Sequence, residues 1–160
     1  MMELFDWIPN LHALLVHLPI GLLVSAAAID LVAVLRRNPS TVVTVSTALY
    51  VAGTATLIAA YLTGRSAAPE VYTPGMAHAV VTRHWDWGFW CTCYFSLLTA
   101  TRVGIQLGTD TTRRITTLAF WGGGLAGLLL LANTADLGGQ LVYEHGVGVA
   151  APQERGRRNP

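Results

Sequence analysis

Lysine is absent from this 160-residue chain, and charge of either sign is scarce. Ten arginines and nine acids make up 12% of the residues, about half the roughly 25% usual in a soluble domain. That excludes an ordinary hydrophilic surface. The net charge of +1 supplies no strong positive field, which sets nucleic acid aside as a partner. Cysteine is limited to Cys91 and Cys93, inside an apolar stretch, with neither a CxxCH sequence nor paired CxxC motifs. Covalent c-type haem and thiolate zinc are thereby excluded. No nucleophile with a neighbouring base, no paired catalytic carboxylates and no phosphate-binding loop can be read, so the chain does not look like a complete enzyme. No low-complexity tract, second domain or repeat of fixed period is apparent.

What is there is apolar: 52% of the residues are hydrophobic. A bilayer core of about 30 Å needs roughly 20 apolar residues in a helix. Four segments reach that length, Leu11–Leu35, Thr41–Thr63, Trp87–Leu107 and Ile115–Ala135. The expected fold is an all-α membrane protein, a four-transmembrane-helix bundle over residues 1–136 followed by a tail at 137–160. Connections 36–40 and 108–114 are short, which makes the flanking helices antiparallel neighbours, whereas a 23-residue loop joins the second and third. Arg36–Arg37 and Arg113–Arg114 fill the short connections, while Glu3 and Asp6 precede the first helix with no basic residue. The positive-inside rule then puts both termini, the long loop and the tail on the outer, periplasmic side of a multi-pass inner-membrane protein. Arg155, Arg157 and Arg158 in the tail count against it. Acidic first residues and a long first apolar run argue against a cleaved signal peptide. Trp7, Trp85, Trp87 and Trp90 fall at one outer interface, where indoles prefer to sit.

This topology gathers all five histidines on the outer side: His12 and His17 on the first helix, His78 and His84 before the third, and His145 in the tail. Neutral imidazole can ligate iron, copper or a chlorin magnesium without bringing charge into low dielectric. His17 is followed by Gly21 and Ser25 at i+4 and i+8, a stripe small enough for a flat ring or for the close approach of another helix. Pro19 should kink the helix just past His17, unless the membrane helix starts there. His12 and His17 lie about 140° apart around the helix and cannot share one metal, so each needs a partner from elsewhere. His84, in RHWDWGFW, is the natural opposite ligand for the first helix. The expected axial pair is His17 with His84, and the second choice is His12 with His145, where Gly146 and Gly148 allow a tight turn. His78 reads as a solvated residue of an amphipathic segment.

Asp30 and Arg102 lie at matching depths, five residues from the ends of their spans. An unpaired charge at the centre of a membrane helix costs roughly 2.5–3.5 kcal/mol on insertion scales, which favours an ion pair between them over a proton or quinone role. Cys91 and Cys93 point about 200° apart, and Gly122–Gly124 with Gly127 read first as a close helix contact.

LHALLVHLPIGLL near the start, the aromatic helix after RH, and GGQLVYEHGVGV after the fourth span together resemble the family called domain of unknown function 2231. The resemblance runs from residue 11 to about 149. Ala13 stands where that family usually has proline. It implies four helices, histidines on the outer side at His12, His17, His84 and His145, and an electron-transfer context. The leading expectation is therefore a membrane subunit of an electron-transfer complex that binds b-type haem through these histidines, with a chlorin pigment or no cofactor as the alternative. Its partners would be the bilayer, other membrane subunits and a periplasmic electron carrier. The competing expectation is a structural accessory subunit of a respiratory or photosynthetic complex with no redox role of its own. A histidine-lined metal or proton carrier is weakest, because the second and fourth spans hold no ionisable residue.

Overall fold

A computed structural model describes residues 11–36, 40–69, 71–108 and 114–148. Among these residues there is no strand; the elements are α1 (Leu11–Leu15), α2 (His17–Arg36), α3 (Ser40–Ala67), α4 (His78–Gly108) and α5 (Arg114–Tyr143), with one 3-10 turn at Gly75–Ala77. Trp7, Glu3, Asp6, Arg37, Arg113 and the tail arginines, which carried much of the orientation argument, lie outside the described residues.

α1 and α2 form one 26-residue apolar rod interrupted at Val16. Pro19 explains the interruption: it has no N–H for the Leu15 carbonyl, and its ring crowds that same carbonyl. The break therefore falls just before His17 instead of just past it. Three helical stretches, Leu11–Arg36, Ser40–Ala67 and Ile115–Tyr143, are long and apolar enough to cross a membrane. α4 contains the remaining expected span, Trp87–Leu107, and is 31 residues long, but it is not among the stretches that meet this measure of apolarity. The helices also outrun their expected ends. α3 continues to Ala67 and α4 begins at His78, which shortens the long loop to residues 68–77, and α5 continues past Ala135 to Tyr143. Burial explains the early start of α4: Ala77 and Val80 pack with Leu137 and Leu141 of the extended α5.

The bundle is apolar outside and partly polar inside, as lipid demands. Leu31, Val51, Leu97 and Leu129 are exposed along the four rods, whereas Asp30, Ser46, Thr47, Thr54, Thr99 and Arg102 are buried. Leu23, Tyr50, Leu57, Phe95 and Leu131 form the apolar centre.

The two antiparallel hairpins, α1–α2 with α3 and α4 with α5, repeat one plan. Each packs against the other through α2 on α5 and α3 on α4. His12 and Asp30 on the first rod have His84 and Arg102 as counterparts, both 72 positions later. On the returning helices the offset is 74, and it relates Ala52, Gly53, Leu57 and Gly64 to Ala126, Gly127, Leu131 and Gly138, identical residues in all four cases. The contacts repeat as well. A Cβ on Gly53 would stand 2.7 Å from Leu23, and one on Gly127 would stand 2.6 Å from Phe95, the counterpart of Leu23. An internal repeat is thus present where none was expected from the sequence.

Candidate functional site

At one end of the bundle the repeat brings two imidazoles together. The Nδ1 atom of His12 lies 2.8 Å from the Ala60 carbonyl oxygen, and the His84 Nδ1 lies 3.0 Å from the Thr134 carbonyl oxygen, the counterpart position. A carbonyl oxygen only accepts, so in each neutral ring Nδ1 carries the proton and Nε2 keeps its lone pair. Glycine one turn further on makes this possible. A Cβ on Gly64 would stand 2.9 Å from the His12 ring, and one on Gly138 would stand 3.2 Å from the His84 ring. The ring centroids lie 6.4 Å apart and the ring planes stand at 77° to each other. His84 precedes the apolar segment that begins at Trp87. Burial pushes its imidazole below the ordinary histidine range, the neighbouring His12 adds to this, and the Thr134 carbonyl opposes it. Burial and the His12 neighbour thus favour the neutral imidazole.

Two cavities flank the pair. The deeper, of about 90 Å³, is lined by Pro19, Leu57, Thr92 and Leu131, and the larger, of about 410 Å³, reaches outward to Val71, Leu141 and Val147. His12 and His84 line both. The larger volume lies within the range of small-molecule and cofactor pockets, about 300–1,000 Å³.

The chain belongs to the DUF2231 family. The family's profile, described as predicted membrane protein, matches residues 8–151, nearly all of the region just described. No curated protein and no solved structure matches the chain. The family description names no ligand, so the chemistry of this DUF2231 member rests on its own residues.

Of the four histidines expected to bind a cofactor, the structure brings His12 to His84. His17 lies on the wall of the larger cavity but is exposed, as are Gly21 and Ser25. Among the described residues nothing approaches within 4 Å of a Cβ on Gly21, so that stripe turns away from the described helices instead of receiving one of them. His145 sits half-buried in the turn after α5, where Gly146 at φ 64° ends the helix, and neither cavity wall includes it. His78 is exposed with its Nδ1 3.2 Å from the Gly75 carbonyl oxygen, a local contact at the start of α4. Among the described residues no group of three or more His, Cys, Asp or Glu side chains could hold a metal ion.

Towards the other end, 18 residues along each rod, the counterparts of the histidines are a buried ion pair. Arg102 donates to both carboxylate oxygens of Asp30, at 2.8 and 2.7 Å. Its Nε donates to Thr47 at 2.8 Å, and Ser46 donates to Asp30 at 2.6 Å. Tyr50 and Phe120 lie against the guanidinium, 5.1 and 5.2 Å from ring centre to carbon. The expected pairing is present, and each charge is satisfied in a fork geometry that suits arginine.

Proposed function

We propose that this protein is a four-span membrane subunit of an electron-transfer complex that holds one b-type haem between His12 and His84. The observation that carries the reading is the 6.4 Å separation of two imidazoles whose Nδ1 atoms are both committed to backbone carbonyls. His12 and His84 are the two residues that would hold the haem iron, as imidazoles do in b-type haem proteins. The hydrogen bonds to Ala60 and Thr134 fix each ring's tautomer and orientation, as carbonyl partners of ligating histidines do. A porphyrin supplies four further nitrogens, which answers the absence of a third protein ligand among the described residues. Bound haem would supply one-electron chemistry; the chain's own part is to orient the imidazoles, exclude water with an apolar wall and set the polarity around them.

The crossing of α4 completes this reading. Its 31 residues pack antiparallel between α3 and α5, and its one buried charge is neutralised by Asp30. The arginines of the two short connections favour the arrangement with the histidine end and both termini outside the cytoplasm, in the inner membrane. The test is an absorption spectrum of detergent-extracted protein isolated with haem supplied. The reading expects a Soret band with low-spin features, and a spectrum identical to free haem under these conditions removes it.

A further inference from the structure

Arg65 is the one charged side chain among the described residues that line the smaller cavity, and the larger cavity, which shares the His12 and His84 walls, has none. Arg65 stands near the end of α3, one residue past Gly64, the glycine that makes room for His12. Its guanidinium carbon lies 4.6 Å from the centre of the Trp85 ring, and Trp85 follows His84 directly. Among the described residues no carboxylate forms an ion pair with it, since the salt bridge there is that of Arg102 with Asp30. The indole occupies one side of the guanidinium and fixes it at the rim of an apolar chamber, while the edge N–H donors that match a carboxylate fork remain for another group.

The internal repeat makes this feature informative. The counterparts of Arg65 and Trp85 in the second half-site are Gly139 and Ala13, which both line the larger cavity. Among the described residues nothing lies within 4 Å of a Cβ on Gly139. One rim is thus closed by a cation stacked on an indole, and the related rim is built from the two smallest side chains. The histidines obey the repeat and the rims break it, so a bound molecule meets equal ligands at its centre and unequal surroundings at its edges.

We infer that the space formed by the two cavities, which share His12 and His84 as walls, takes a planar apolar ligand bearing a carboxylate, and that Arg65, on the wall of the smaller cavity, binds that carboxylate. This deepens the haem reading, whose two propionates are such carboxylates, but the clamp is a separate property and can be tested without iron. The probe is metal-free protoporphyrin IX, titrated into the detergent-purified full chain and followed by porphyrin fluorescence, beside its dimethyl ester. The free acid should bind about tenfold tighter than the ester, the size expected of one partly desolvated charge-assisted contact. Arg65→Ala should remove that preference by weakening the acid and leaving the ester unchanged, whereas Arg65→Lys should restore part of it. Equal binding of acid and ester by the unaltered protein overturns the clamp, as does an Arg65→Ala variant that keeps the preference. Loss of both ligands in Arg65→Ala, with circular dichroism showing a disrupted fold, leaves Arg65→Lys and Arg65→Gln to decide: a preference retained in Arg65→Gln overturns the clamp. The haem reading fails separately, when haem shows no low-spin spectrum although the porphyrin acid binds through Arg65. If neither porphyrin binds, the clamp falls, and the haem spectrum alone decides the haem reading.

Discussion

Removing one member of the Asp30–Arg102 pair should cost far more than removing both. Asp30 is fully buried and Arg102 is 3% exposed, so each single variant leaves an uncompensated charge inside the bundle. In Arg102→Met the carboxylate loses two bonds of 2.8 and 2.7 Å and keeps only the Ser46 hydroxyl. In Asp30→Leu the guanidinium keeps Thr47 and Ser46, at 2.8 and 3.2 Å, and loses its counterion. Stranding a buried charge costs about 3–5 kcal/mol, while replacing both partners by apolar residues is often close to neutral. The double variant should therefore be more stable than either single one, with a coupling of about 3 kcal/mol or more. Reversible unfolding in mixed detergent micelles, followed by circular dichroism, measures all four proteins of the cycle. Losses that add to within about 0.5 kcal/mol would refute the reasoning, because independent sites behave that way.

The internal repeat predicts matched responses to equivalent glycine substitutions. Gly53→Val and Gly127→Val should each destabilise by about 1–3 kcal/mol through collision with Leu23 and Phe95, whereas Gly21→Ala, with open space around it, should be neutral or stabilising by thermal melting in detergent. Topology is tested with single cysteines at positions 38 and 110 in a background lacking Cys91 and Cys93: a membrane-impermeant thiol reagent added from outside should label neither, and labelling of both would reverse the orientation.

The helices were legible because lipid imposes a simple rule: runs of about 20 apolar residues stand out in a chain with few charges. The Asp30–Arg102 pair was legible for the same reason, since two lone charges at equal depth have few other solutions. The histidine pairing was not. In the sequence Gly21 and Ser25 offer room for a ring beside His17, but small residues on a membrane helix serve an exposed face as readily as a contact. The glycines that matter, Gly64 and Gly138, lie on the partner helices and become visible only when the hairpins close. The repeat was hidden by its two offsets, 72 and 74, and by the near absence of shared residues on the first rods. The spacing of 18 from His12 to Asp30 and again from His84 to Arg102, with AG-x3-L-x6-G on both returning helices, is the signal that could have found the site.

The most direct test of the central claim compares haem binding by His12→Ala, His84→Ala and His17→Ala proteins, each purified with haem supplied, against the unaltered chain. An ion held by two imidazoles keeps its low-spin state only while both axial bonds persist. His12→Ala and His84→Ala should each give a high-spin spectrum or lose haem, and His17→Ala should leave the low-spin spectrum in place. A low-spin spectrum unchanged in both His12→Ala and His84→Ala would contradict the account, and its loss in His17→Ala with His12→Ala unaffected would move the axial bond to His17.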